Sequence, residues 1–306
     1  MLPVRSGLYI GDAADLAQVE RLSDSAISHV LTVDSQEPPP VGDRQTMFVR
    51  ALDEPCTDLL SFLDDCVRFI QEALAEASAG VLVNCHAGVS RSAAVVTAFI
   101  MKTDDLTFEE AHNKLQAVKP DVKINDGFVK QLKLYEVMGC KVDLTSADYK
   151  QYRLQKIIDK YPELQNLPRE LFALDPMSLE KTDDVLYRCR KCRRSLFRGS
   201  SILNHVPGTG PIAFAHKRFT QTLREEDQTK CTSYFIEPVQ WMEPALLGVL
   251  DGQLLCPKCR SKLGSFNWYG DQCSCARWVT PAFQIHKNRV DEMKHLKFSS
   301  VRNVSS

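Results

Sequence analysis

The segment from Val81 to Met101 constrains the fold more than any other. Val81-Leu82-Val83 is an apolar triplet too short and too branched for a helix. It runs through Asn84 into Cys85, and Arg91 follows six residues later. From Ala93 to Met101 the chain is again apolar, and long enough for a buried helix. A buried strand turning through a tight loop into a buried helix needs a sheet with covered faces. That is an α/β arrangement.

The flanking sequence supplies the other elements. Leu8-Tyr9-Ile10-Gly11 and His29-Val30-Leu31-Thr32-Val33 read as strands, and Pro38-Pro39-Pro40 as a loop. From Thr57 or Asp58, either able to cap, Leu59, Leu60, Leu63, Val67, Ile70 and Leu74 recur at helical spacing. Thr107 and Glu110 form a capping box. Alternating strands and helices predict a largely parallel sheet over residues 1–142.

Each part of the 85–92 loop has a chemical reason. A helix N-terminus ringed by backbone N–H groups of His86, Ala87, Gly88, Val89 and Ser90 is a phosphoryl site. The same positive field favours the Cys85 thiolate, the nucleophilic form. Gly88 permits a backbone shape that a side chain would obstruct. Arg91 can grip two phosphoryl oxygens, and Ser92 can donate to the departing sulfur. A Cys and an Arg at this spacing arise often by chance, but not with Gly88, Ser90, Ser92, the strand before and the helix after.

With these residues in place, positions 1–140 resemble the dual-specificity protein phosphatases. Gly7-Leu8-Tyr9-Ile10-Gly11 is similar to that family's opening strand, and Lys123–Leu132 to its closing segment. The resemblance implies that Asn125 braces the phosphate loop. It also makes Asp53 the general acid that protonates the leaving oxygen and then activates water. Asp58, in the same loop, reads as a helix cap. One position departs from the family: Asn84 precedes the nucleophile, where His is usual. No Lys lies between Cys85 and Arg91, unlike the inositol-lipid phosphatases of this superfamily, so a singly phosphorylated protein is the expected substrate.

Seven of the eleven cysteines lie beyond residue 185, several in close pairs. The opening residues lack the apolar stretch of a secretory leader, so an intracellular protein is expected, and there close cysteine pairs indicate metal. Cys189-Arg190-Lys191-Cys192 and Cys256-Pro257-Lys258-Cys259 offer four thiolates for one tetrahedral zinc. His205, Cys231, Cys273 and Cys275 remain for a second, with His216 and His286 as competitors for the nitrogen position. Closed, sulfur-rich sets make about two structural Zn(2+) per chain, with none needed for catalysis.

The predicted organisation is therefore an α/β cysteine-phosphatase domain at 1–142 and a linker with one helix (about 147–160) at 143–184. A small β-rich zinc-binding domain follows at 185–296, and a tail at 297–306. Residues 1–185 carry a net charge of −11 and residues 186–306 one of +10. The basic side includes Arg188, Arg190, Lys191, Arg193, Arg194 and Arg198. Such a division predicts an acidic partner for the second half.

Linker motifs such as Tyr149-Lys150-Gln151-Tyr152 and zinc-domain motifs such as Gly264-Ser265-Phe266-Asn267-Trp268 extend the resemblance over nearly the whole chain, to the YVH-type branch of the family. That branch implies a zinc domain acting in maturation of the large ribosomal subunit, and residence in nucleus and cytoplasm. No apolar run is long enough to cross a membrane.

Overall fold

The computed structural model describes residues 1–21, 26–76, 79–178, 184–208 and 231–293. The chain divides into two compact units, residues 1–144 and 145–306. His216 lies outside the described residues.

The first unit is built on a five-stranded sheet in the order β1-β2-β5-β3-β4. The strands are β1 (Leu2–Arg5), β2 (Leu8–Gly11), β3 (Ile27–Asp34), β4 (Gln45–Arg50) and β5 (Gly80–Asn84). All neighbours are parallel except the β1–β2 pair. Helices α1 (Ala13–Arg21), α2 (Leu63–Ala75), α3 (Arg91–Asp104), α4 (Phe108–Val118) and α5 (Asp126–Val137) complete it. Every residue of α3 from Arg91 to Met101 is buried. A helix apolar on all sides belongs in a core, where each fully buried large aliphatic side chain is worth roughly 1.5–3 kcal/mol. The Thr107–Glu110 capping box opens α4, with both reciprocal bonds formed.

Parallel strands end on the same side. The register puts Gly11 and Thr32 beside Asn84, and Asp34 beside Arg50. The carboxyl ends of β2, β5, β3 and β4 thus converge on one edge, where open α/β sheets hold their ligands.

The helical periodicity expected from Thr57 or Asp58 is realised later. A 3-10 turn spans Leu60–Phe62, and α2 proper starts at Leu63. The cause is Gln131, whose Oε1 accepts from both Leu59 N and Leu60 N at 2.8 Å. Asp58 accepts from the Ser61 backbone and hydroxyl, at the head of this turn.

The second unit holds a three-stranded sheet, β14-β6-β7, and a four-stranded sheet, β8-β13-β10-β9, both antiparallel. The strands are β6 (Leu186–Cys189), β7 (Ser195–Arg198), β8 (Ser233–Phe235), β9 (Asp251–Leu255) and β10 (Lys262–Asn267). They continue as β11 (Asp271–Gln272), β12 (Trp278–Val279), β13 (Ala282–His286) and β14 (Val290–Met293), with β11 and β12 a separate hairpin. The segment read from the sequence as a linker differs from that reading. Helix α6 (Ala147–Lys160) forms, but Leu154, Leu164, Leu167, Leu171 and Phe172 are buried in one cluster with Phe197, Trp268 and Phe283. Apolar side chains spaced through a prolyl segment had a core to enter, so the segment is part of the second unit.

Candidate active site and metal centres

Cys85 leaves the end of β5 and lies buried at the start of α3. Its Sγ is 3.2 Å from Gly88 N, which donates to it, and 3.2 Å from Ser92 Oγ. His86 and Ala87 are exposed, and Gly88 is buried with φ +69°. A Cβ at Gly88 would stand 2.9 Å from Gly11 O. A side chain there would push the loop off the end of β2. Ala13 N donates to His86 O, and Lys123 N to Val89 O, so the loop is tied from two sides.

Ser90 is the N-cap residue of α3 but makes no side-chain cap bond. Its hydroxyl donates to Asp53 Oδ1 at 2.6 Å. The first N–H groups of α3 thereby remain available to an anion. Asn125 joins the same network: its N donates to Ser90 Oγ (3.2 Å) and its Nδ2 to Asp53 Oδ1 (2.7 Å). Its own Oδ1 caps α5 by accepting from Phe128 N. Loop and acid are therefore indexed to one residue. Gly127 lets α5 approach the acid loop, since a Cβ there would meet Pro55 O at 2.1 Å.

Arg91 is 7% exposed. Its Nη1 donates to Asp34 Oδ1 (2.8 Å) and to Ala51 O (3.3 Å), while its buried Nε has no partner. Asn84, 1% exposed, accepts from Thr32 Oγ1 at 2.9 Å across the β3–β5 pair. Asp34, Thr32 and Gln131 are the members of this site that sequence reasoning missed. The signal for the first two was their place at the end of a parallel strand, where site residues collect.

Residues 8–138 match the dual specificity phosphatase catalytic domain. Human dual specificity protein phosphatase 12 is 66% identical over 97% of this chain and 89% of its own length. The chain belongs to the dual specificity protein phosphatase family. The rat protein of the same name is 65% identical over 96% of the chain and 88% of its own length. The fission yeast tyrosine-protein phosphatase yvh1 is 31% identical over 96% and 85%. This chain is accordingly a protein tyrosine/serine/threonine phosphatase.

In the second unit of this phosphatase the eight expected ligands gather into two groups. Cys189, Cys192, Cys256 and Cys259 form one, and His205, Cys231, Cys273 and Cys275 the other. Within each group the ligand atoms all lie within 4.8 Å of one another. His286 belongs to neither group; its Nδ1 pairs with Ser233 Oγ.

The local backbone explains the convergence. Cys189 N donates to Arg194 O and Arg193 N to Cys189 O; Cys256 N donates to Ser261 O and Arg260 N to Cys256 O. Arg193 (φ 63°) and Arg260 (φ 58°) take the left-handed shape at matching positions. Two copies of one turn thus face each other, one between β6 and β7, the other between β9 and β10. The Cys189–Cys259 and Cys192–Cys256 sulfurs are 3.8 and 3.6 Å apart. Tetrahedral zinc with Zn–S bonds of about 2.3 Å sets sulfur–sulfur edges of about 3.8 Å, so the group fits that ion. In the second group His205 Nε2 lies 3.4 Å from Cys231 Sγ and 3.2 Å from Cys275 Sγ. Burial, then the charge of Arg277, lowers the His205 pKa and favours the neutral imidazole that ligates metal.

The basic run around the first knuckle is partly neutralised within the fold. Arg190 and Arg193 both pair with Asp291, and Arg194 with Asp175 at 2.6 Å. The wider asymmetry persists by structural unit, at −9 for residues 1–144 and +8 for 145–306.

Proposed function

We propose that this phosphatase hydrolyses singly phosphorylated proteins through a phosphocysteine on Cys85, and that its second unit is a zinc-held binding module. The observation that carries the first part is the Cys85 sulfur against Gly88 N and Ser92 Oγ at the head of α3, whose first residue, Arg91, keeps a buried and unpartnered Nε. A buried guanidinium N–H without an acceptor is costly, and a phosphoryl oxygen is the acceptor such a site is shaped for.

The Cys85 thiolate attacks phosphorus as the ester P–O bond breaks. Asp53 gives its proton to the leaving oxygen. Backbone N–H groups of 86–90 and the Arg91 guanidinium hold the equatorial oxygens as charge spreads onto them. Water then enters, Asp53 takes its proton, and the S–P bond breaks as Ser92 donates to the departing sulfur. Ser90 and Asn125 hold Asp53 Oδ1, which leaves Oδ2 for the travelling proton. Cys85→Ser should turn over no aryl phosphate yet still bind vanadate. Turnover surviving in that variant would overturn the scheme.

Structural zinc in both groups stabilises the second unit, since each set of four closes a tetrahedron with no position left for substrate. The +8 charge of that unit supports a second role, binding an acidic partner during assembly of the large ribosomal subunit, in nucleus and cytoplasm. The zinc-loaded chain should co-sediment with large-subunit particles at low salt, and a Cys256→Ser chain should not. Equal co-sedimentation of both proteins would count against this role.

A further inference from the structure

We propose that a surface pocket lined by Thr232, His286, Lys287, Asn288 and Arg289 binds the phosphodiester backbone of single-stranded RNA. This deepens, and rests on, the reading of the second unit as a binding module. The pocket has a volume of about 500 Å³, and every lining side chain is polar or cationic. That is ample for a phosphate together with its sugar.

Charge on this surface is not spent internally. The arginines of the first knuckle are tied to Asp291 and Asp175, whereas no ion pair engages Lys287 or Arg289 among the described residues. Lys287 Nζ is held 4.8 Å from the centre of the Tyr234 ring, so its position is set before any ligand arrives. The field is felt locally: after burial, the charges of Lys262 and Arg289 lower the His286 pKa.

Both metal groups support the walls. Lys287 N donates to Thr232 O at 3.0 Å, and Thr232 follows the ligand Cys231. Arg190, next to the ligand Cys189, donates its N to Arg289 O at 3.0 Å. Thr232 N in turn donates to Ser274 Oγ, in the turn of the β11–β12 hairpin. That hairpin and the residues before it present Trp278 and Tyr269, 59% and 60% exposed. A flexible nucleic acid strand sets its phosphates on cations and stacks bases on exposed rings along the surface it crosses, and this unit offers both. Phosphopeptide readers instead gather several arginines around one phosphate, and here a single arginine shares the pocket with one lysine.

The test uses the zinc-loaded full chain and a short fluorescent single-stranded RNA of mixed sequence, titrated by anisotropy over a salt series. Lys287→Ala with Arg289→Ala should weaken binding about tenfold or more and make the log K against log salt slope shallower by about 1.4. Trp278→Ala should weaken it about tenfold. Zinc content and aryl phosphate turnover should stay at the wild-type level. Arg289→Gln, which removes the charge but keeps a hydrogen-bonding side chain, should reproduce part of the loss should the double variant lose metal. Unchanged RNA affinity in metal-replete variants would overturn the pocket while leaving the binding module standing. So would wild-type protein that binds large-subunit particles but not free RNA, or RNA displaced more readily by a phosphopeptide of equal charge. Wild-type protein that binds neither RNA nor particles would overturn both.

Discussion

Asp34 Oδ1 stands 2.8 Å from Arg91 Nη1, and both side chains are largely withdrawn from water. The carboxylate comes from the last residue of β3 and the guanidinium from the first of α3. One end of the arginine is thus anchored to the sheet. The buried Nε has no partner among the described residues, as the proposed phosphate binding requires.

Asp34→Asn keeps a hydrogen-bond acceptor but removes the charge that orients Arg91. Turnover of a small aryl phosphate should fall at least tenfold, equivalent to about 1.4 kcal/mol of transition-state stabilisation. Vanadate affinity should fall with it, since the transition state and its mimic use the same guanidinium. A normal kcat in this variant would mean that the loop alone fixes the arginine.

Asn84 immediately precedes the nucleophile, and the structure gives it a definite partner in Thr32. Asn84→Ala should strand the buried Thr32 hydroxyl and cost about 1–3 kcal/mol of stability, read as a shift in the urea midpoint. Adding Thr32→Val should recover part of that loss, because both polar partners are then gone. Strictly additive losses would show that the two side chains are not coupled.

Gln131 is the residue through which α5 holds the acid loop. Its Oε1 accepts from Leu59 N and Leu60 N, and its Nε2 donates to Thr57 O at 2.7 Å. Gln131→Ala leaves two buried N–H groups unpaired, a cost of roughly 2–4 kcal/mol. Because that loop carries Asp53, the kcat loss should be larger for an alkyl phosphate, which needs its leaving oxygen protonated, than for an activated aryl phosphate. Equal losses on both substrates would assign Gln131 to stability alone.

Much of the active site was legible because it is local. Cys85, Gly88, Arg91 and Ser92 lie within one strand–loop–helix unit, whose apolar runs fix where strand and helix fall. The two groups of four were also legible, since close thiol pairs supply six of their eight members. What stayed hidden is non-local. Asp34 meets Arg91 only because β3 and β5 are neighbours in the sheet, and Gln131 meets Leu59 across 72 residues. Residues 143–184 read as a linker because their polar, proline-broken texture conceals a few leucines, such as Leu164 and Leu171, that pack with Trp268 and Phe283 about a hundred residues downstream.

The two metal groups should respond separately to single substitutions. Cys256→Ser removes one of four thiolates facing each other across the first site, and Cys275→Ser removes one from the second. Metal analysis should give about two zinc for the wild type and about one for each variant, and both variants should lose stability in the second unit. Burial pushes the Cys256 thiol up to about 12, while hydrogen bonds from Ser261 bring Cys259 down to about 6. Four such thiols do not ionise together without a cation, so metal release should be promoted by acid as protons compete for the sulfurs. A chelator at neutral pH should abolish the melting transition of residues 145–306. Aryl phosphate turnover should survive, because Cys85, Asp53 and Arg91 all belong to the first unit. Turnover lost in step with the metal would place zinc in the catalytic function rather than in the fold of the second unit.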